Sequence, residues 1–218
     1  MACSPIVAAD ANSKTAERLD DAASLFSEIM ATPDRSIPQD LMEKAPCIVL
    51  VPGLKKAAFG FGGKYGRGFA LCRAANGAGW GPPAAIRIEG GSVGIQIGVS
   101  STDVVMLVLN QRGMQKLSSS KFTLGADANA AAGPVGRDAS AQTDAFMHAE
   151  ILSWSRSKGL FAGVSLAGAT LRNDLDENQA LYGQRWTSKQ ILGSGAKMPE
   201  AASKLIAGLN KYSPRQRK

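Results

Sequence analysis

The segment GFGGKYGRG at residues 60–68 sets two cations, Lys64 and Arg67, inside a ladder of glycines. Successive backbone N–H groups beside cationic side chains form a nest that can hold a phosphate. The order departs from the known nucleotide loops. Lys64 is followed by Tyr65, so G-x-x-x-x-G-K-[ST] is absent, and G-F-G-G-K-Y fails G-x-G-x-x-G at its last position. Compact β-turns account for the same glycines equally well. Phe59, Phe61, Tyr65 and Phe69 interleave with the cations. That mixture suits the edge of a lipid headgroup layer, with aromatics below and cations above. Composition alone allows single-stranded nucleic acid as well.

Other chemistry is scarce. His148 is the sole histidine and no G-x-S-x-G surrounds a serine, so a nucleophilic triad has nothing to build on. Three scattered cysteines and one histidine make no zinc spacing. Asp174, Asp176 and Glu177 read as a solvated helix start, and the EF-hand pattern is absent. No catalytic residue, metal site or cofactor is therefore expected, and the chain is not expected to be an enzyme. Cys47 and Cys72 read as core residues, with a bridge between them left open.

The chain has 218 residues, a net charge of +7 and 24 glycines. Residues 1–43 carry three basic and eight acidic groups, whereas residues 44–88 carry seven basic groups and no acid. An acid-free stretch generates a positive field if the fold gathers its side chains. Residues 15–30 repeat apolar side chains at helical spacing, and SIPQ at 36–39 reads as a capping box with Ser36 as the cap. CIVLVP at 47–52 is a short buried strand, and alternation or apolar runs predict further strands at 66–73, 84–110 and 149–156. FAGVSLAGATL reads as the hairpin partner of the last of these, with Lys158-Gly159 at the bend. Residues 111–118 read as a short helical piece, and 174–183, 187–193 and 199–210 as helices. No stretch reaches the roughly 18 apolar residues a spanning helix requires, so membrane contact is expected to be peripheral. Strands in the middle and helices at both ends predict an α+β fold. The sheet should be largely antiparallel and twisted, or a partly closed barrel, with the N- and C-terminal helices packed on it. Residues 1–13 are expected to form a flexible tail, 14–211 a single domain and 212–218 a basic tail.

Several blocks carry a resemblance: IPQDLMEKAPCIVLVPGLKKAAFGFGGKYGRGFALCR at 37–73, GWGPPAAIRIEGGSVGIQIGVSSTDVVMLVLN at 79–110, AAGPVGRDASA at 131–141, AEILSWSRSKGLFAGVSLAGATL at 149–171 and NQALYG at 178–183. Together they resemble the SYLF domain family, also called Ysc84-like or DUF500, over about residues 15–210. With room for neither an SH3 nor a FYVE module, the chain resembles the stand-alone bacterial form. The resemblance implies binding to anionic, phosphoinositide-type membranes. The alternative it implies is a protein-interaction module, including actin-filament binding or bundling. Partners are thus expected to be an anionic phospholipid membrane, or actin or another protein, with no nucleic acid. The setting would be periplasmic or envelope-associated in a bacterium, and cytoplasmic and peripheral to the membrane in a eukaryote.

Two departures shift the site. Ala167 stands where the family often has Glu, and the opening helix, a basic membrane anchor in some members, is acidic here. Charge and position therefore favour Lys55, Lys56, Lys64 and Arg67 as headgroup-binding residues, with Arg73 second. Phe59 or Phe61 would dip into the headgroup region. Each basic group near an anionic surface contributes about 1 kcal/mol.

Overall fold

A computed structural model describes residues 5–32, 36–59, 61–74, 78–93, 98–135, 148–157, 160–193 and 196–214, with the backbone alone described at 5–11, 58–59, 61 and 92–93. The chain opens with helix α1 (Pro5–Ala31) and a short α2 (Gln39–Lys44). Four long strands follow: β1 (Cys47–Phe59), β2 (Phe61–Cys72), β3 (Ala84–Val93) and β4 (Gly98–Val108). Then come α3 (Gln111–Leu117), β5 (Lys121–Thr123), β6 (Ala130–Ala132), β7 (Ile151–Ser157), β8 (Leu160–Gly163) and β9 (Thr170–Asn173). The chain closes with α4 (Leu175–Tyr182), α5 (Ser188–Gly193), a 3-10 turn (Glu200–Ala202) and α6 (Ser203–Tyr212).

Among the described residues these strands form one sheet in the order β5-β9-β3-β2-β1-β4-β7-β6, with β8 also paired to β7. Every pairing is antiparallel except that of β6 with β7. The fold is α+β: a curled, half-barrel-like sheet flanked by the N- and C-terminal helices. The apolar runs CIVLV and VVMLV are continuous because both faces of the central strands are buried. Ile48, Leu50, Phe69, Val105 and Leu107 pack against Leu19 and Phe26 of α1 and Leu205 of α6. Their neighbours Val49, Val51, Leu54, Val104 and Met106 pack with Ile88, Phe122 and Leu171 inside the curl. Alternation of side chains along a strand makes two cores from one sequence run.

The glycine segment is strand, not turn. β1 runs on past Pro52 through a bulge between Leu50 and Lys55, and pairs with β2 as far as Phe59 opposite Phe61. The bulge is held by Gly53 N–H donating to Asp103 Oδ1 at 2.9 Å. The curl needs glycine at one crossing: a Cβ on Gly68 would lie 2.0 Å from the Leu50 carbonyl oxygen. Bulges of this kind sharpen strand twist and bend.

Three local expectations are corrected. The first helix begins at Pro5, ten residues before the expected start. The capping box does not form: Pro38 is the N-cap of α2 without a side-chain cap, and Gln39 Nε2 donates to Tyr212 O at 2.5 Å. FAGVSLAGATL does not pair along its length with β7. Only Leu160–Gly163 does so, and Thr170–Asn173 crosses to pair with β3. The expected bend at Lys158-Gly159 lies outside the described residues. Cys47 and Cys72, directly opposite on β1 and β2, are joined by a disulfide.

Candidate functional site

Pairing fixes the faces on which the basic residues project. Directly opposed residues in an antiparallel pair point to one face, and consecutive residues to opposite faces. Lys56 is opposite Lys64, and Lys55 is opposite Tyr65. Lys56 and Lys64 therefore share the face inside the curl, whereas Lys55, Tyr65 and Arg67 share the helix side. The acid-free stretch supplies two separate patches, not the single convergent one anticipated from charge.

Lys56 and Lys64 are both half-buried. Lys64 packs beside Gly90: a Cβ on that glycine would sit 3.6 Å from the lysine Cε. Burial, with the nearby charge of Lys56, holds the Lys64 ammonium below its ordinary pKa. An anion placed between these two side chains would relieve that repulsion. The backbones of Phe59 and Phe61 form the hairpin end beside this pair, and their side chains lie outside the described residues.

Arg67 is engaged on the helix side. Its Nε donates to Tyr65 Oη at 2.9 Å and lies 3.0 Å from Asp174 Oδ2, and its Nη1 is 4.0 Å from Glu177 Oε2. Arg18 of α1 pairs with the other oxygen of Glu177. Burial works against the Arg67 charge, but the Tyr65 hydroxyl and the two carboxylates outweigh it and raise its pKa. Burial raises the pKa of Glu177, reinforced by Asp174 and opposed by the two guanidinium groups. Asp174 and Glu177 are thus not a solvated helix start. Asp174 is fully buried and Glu177 nearly so. Asp174 caps α4 by accepting from Glu177 N–H, and the pair locks α1, β2 and α4 together. Asp176 is the exposed member of the three, paired with Arg185.

Arg73 is not a surface cation. It is 9% exposed, stacked 4.0 Å over Trp80, and donates to the carbonyls of Ala45, Met42 and Ser213 and to Ser213 Oγ. Burial pulls its pKa down to about 10, which leaves it charged at neutral pH. It ties the start of β1 to the C-terminal end of α6. The correction is physical: a guanidinium carries five donors, and here carbonyls at the C-terminal ends of α2 and α6 accept from it. Sequence reasoning also passed over the buried role of Asp174 and Glu177. The available signal was an acid at the N-cap position followed by Glu at the third position of the helix.

Among the described residues, no group of three or more His, Cys, Asp and Glu side chains could hold a metal ion, and no helix is long and apolar enough to cross a membrane.

Residues 89–212 match the family described as "Ysc84: Las17-binding protein actin regulator". The chain is 35% identical over 176 residues to Protein YSC84 of Saccharomyces cerevisiae, covering 79% of this chain and 37% of that protein. LAS seventeen-binding protein 3 of the same yeast is 34% identical, with 79% and 38% covered. Human SH3 domain-containing YSC84-like protein 1 is 30% identical over 191 residues, with 86% and 55% covered. The chain thus spans well under two thirds of these relatives. They are fungal and mammalian, and this overturns the bacterial-type assignment. That assignment rested on the lack of room for a further module, which a chain spanning part of its relatives does not test. The match is to a family described as a regulator and binding protein. The chain belongs to the family described as "Ysc84: Las17-binding protein actin regulator".

Proposed function

We propose that this domain is a protein-interaction module that works in actin regulation. The observation that carries this reading is the family match over residues 89–212, joined to similarity over about four fifths of the chain to Protein YSC84 and LAS seventeen-binding protein 3. The geometry is compatible with it. Two rigid sheet faces present cations from fixed strand positions, and charge complementarity of this kind guides docking and partner choice. An acidic filament is a fitting partner for a chain of net charge +7. The test is cosedimentation of the purified chain with actin filaments in the absence of lipid, across a salt series. Pelleting that weakens as salt rises is expected. A chain that stays in the supernatant at every salt concentration would remove filament binding from the proposal.

One observation favours a second reading. The Lys56–Lys64 pair on the inner face has no carboxylate partner among the described residues, and the Lys64 ammonium is destabilised where it sits. A phosphoinositide-type headgroup would fill that position, with Lys55 on the opposite face and Phe59 and Phe61 at the hairpin end near the lipid. Liposomes differing in headgroup at matched total charge test it. Neutralising Lys56 and Lys64 should lower sedimentation with the preferred headgroup, and unchanged binding would end this version.

A further inference from the structure

The register of the sheet produces a row of cations that no single segment of sequence displays. Arg67 on β2 is directly opposite Arg87 on β3, Arg87 is directly opposite Arg172 on β9, and Arg172 is directly opposite Lys121 on β5. Opposed residues share a face, so the four side chains form one ladder on the helix side. Neighbouring strands are about 4.8 Å apart, which makes the ladder roughly 14 Å long, ending at the sheet edge. The three arginine side chains are 34–41% exposed and Lys121 is exposed.

Like charges directly opposite one another destabilise a sheet. The counter-charges present are too few. Arg67 is answered by Asp174 and Glu177, but Glu177 is shared with Arg18. Arg87 and Arg172 divide one carboxylate, Glu89, with Nε–O distances of 2.8 and 3.1 Å. Each Nε lies against a Glu89 oxygen as an ion pair, yet neither makes a hydrogen bond. Lys121 has no ion pair among the described residues. The guanidinium forks of Arg87 and Arg172 are suited to bidentate carboxylates, which one half-exposed glutamate cannot supply to both.

We propose that the Arg67–Arg87–Arg172–Lys121 ladder is a docking site for an acidic helical segment of a partner protein, lying across the strands. This deepens the protein-interaction reading and rests on it. Charge complementarity selects an acidic partner, and spacing selects its conformation. Carboxylates at i and i+3 or i+4 on one face of a helix rise about 4.5–6 Å per step, a range that brackets the inter-strand repeat. Same-face residues of an extended chain stand roughly 6.6–6.8 Å apart and fall out of step along the row.

The probe is an alanine-based helical peptide with glutamates at every fourth position, compared with a peptide of the same composition whose glutamates are distributed around the helix. The variant is Arg87→Gln/Arg172→Gln/Lys121→Gln in the full chain. It leaves Arg67 and its buried carboxylates in place, and a thermal melt verifies the fold. The striped peptide should bind more tightly than the scrambled one, and the triple variant should lose roughly tenfold in its affinity. Equal binding of the two peptides, or an unchanged affinity in a folded triple variant, overturns the ladder site. So does a variant that loses binding to anionic vesicles but keeps the striped peptide, since the cations then serve lipid. If the peptide tests fail while filaments still pellet the chain, the ladder falls and the actin-linked reading stands. If the peptide tests succeed and filaments do not pellet the chain, the ladder stands and the filament reading falls.

Discussion

Asp174 is where the fold is most exposed to a single-atom test. Its side chain does two jobs: it accepts from Glu177 N–H as the N-cap of α4, and it faces Arg67 at 3.0 Å while fully buried itself. Asp174→Asn keeps the cap, because asparagine is as good an N-cap as aspartate, and removes the charge. Asp174→Ala removes both. Losing one partner of a buried pair costs about 3–5 kcal/mol. Here the cost is discounted, because Arg67 is 37% exposed and can turn to water while keeping Tyr65. About 1–2 kcal/mol is expected for Asp174→Asn. The lost cap adds about 1 kcal/mol, which places Asp174→Ala near 2–3 kcal/mol. At this chain length each kcal/mol lowers Tm by about 2–4 °C. Urea unfolding followed by tryptophan fluorescence measures both variants. The reasoning is refuted if the two variants cost the same, or if both fall within about 0.5 kcal/mol of the parent, as surface changes do. A double-mutant cycle with Arg67→Ala then isolates the ion pair from the cap.

Glu177→Gln should flatten part of the pH dependence of stability. Burial raises the folded-state pKa of Glu177, so the native state holds this proton more tightly than the unfolded chain. The contribution is full below the ordinary carboxylate range and is lost as pH rises through the raised value. Denaturant curves at several pH values should show the parent gaining on the variant as pH falls, and a constant difference would contradict the assignment. Gly68→Ala should cost about 1–3 kcal/mol, because its new Cβ meets backbone at 2.0 Å. Gly63→Ala on the same strand, with nothing within 4 Å, should stay within about 0.5 kcal/mol, both variants being measured by urea unfolding. Reducing the Cys47–Cys72 bridge, 25 residues apart in sequence, should cost about 3 kcal/mol in urea unfolding. Thiol titration of the denatured, unreduced chain should find one reactive cysteine of the three, and finding three would exclude the bridge.

What the sequence determined by itself was the class of fold and the order of its parts. CIVLV and VVMLV announced buried strands because β-branched and apolar residues without a helical period have nowhere else to go. The repeat of Leu19, Ala22, Ala23, Phe26 and Ile29 announced a helix with one buried face, as found. The glycine segment misled for a local reason. Glycine disfavours helix equally in a turn and in a strand, and only the crossing of Gly68 over Leu50 shows which. The candidate site was less legible still. Lys55 and Lys56 are adjacent in sequence and on opposite faces of a strand, so a count of charges joined what the pleat separates. Arg73 belonged to the same acid-free run, yet the C-terminal residues 140 positions away bury it. The row from Arg67 to Lys121 is the converse. Its members lie in four strands spread over half the chain, and register alone brings them together. Composition reports how much charge a chain carries, whereas strand pairing decides which charges meet, because each side chain's direction is set by hydrogen bonds to residues far away in sequence.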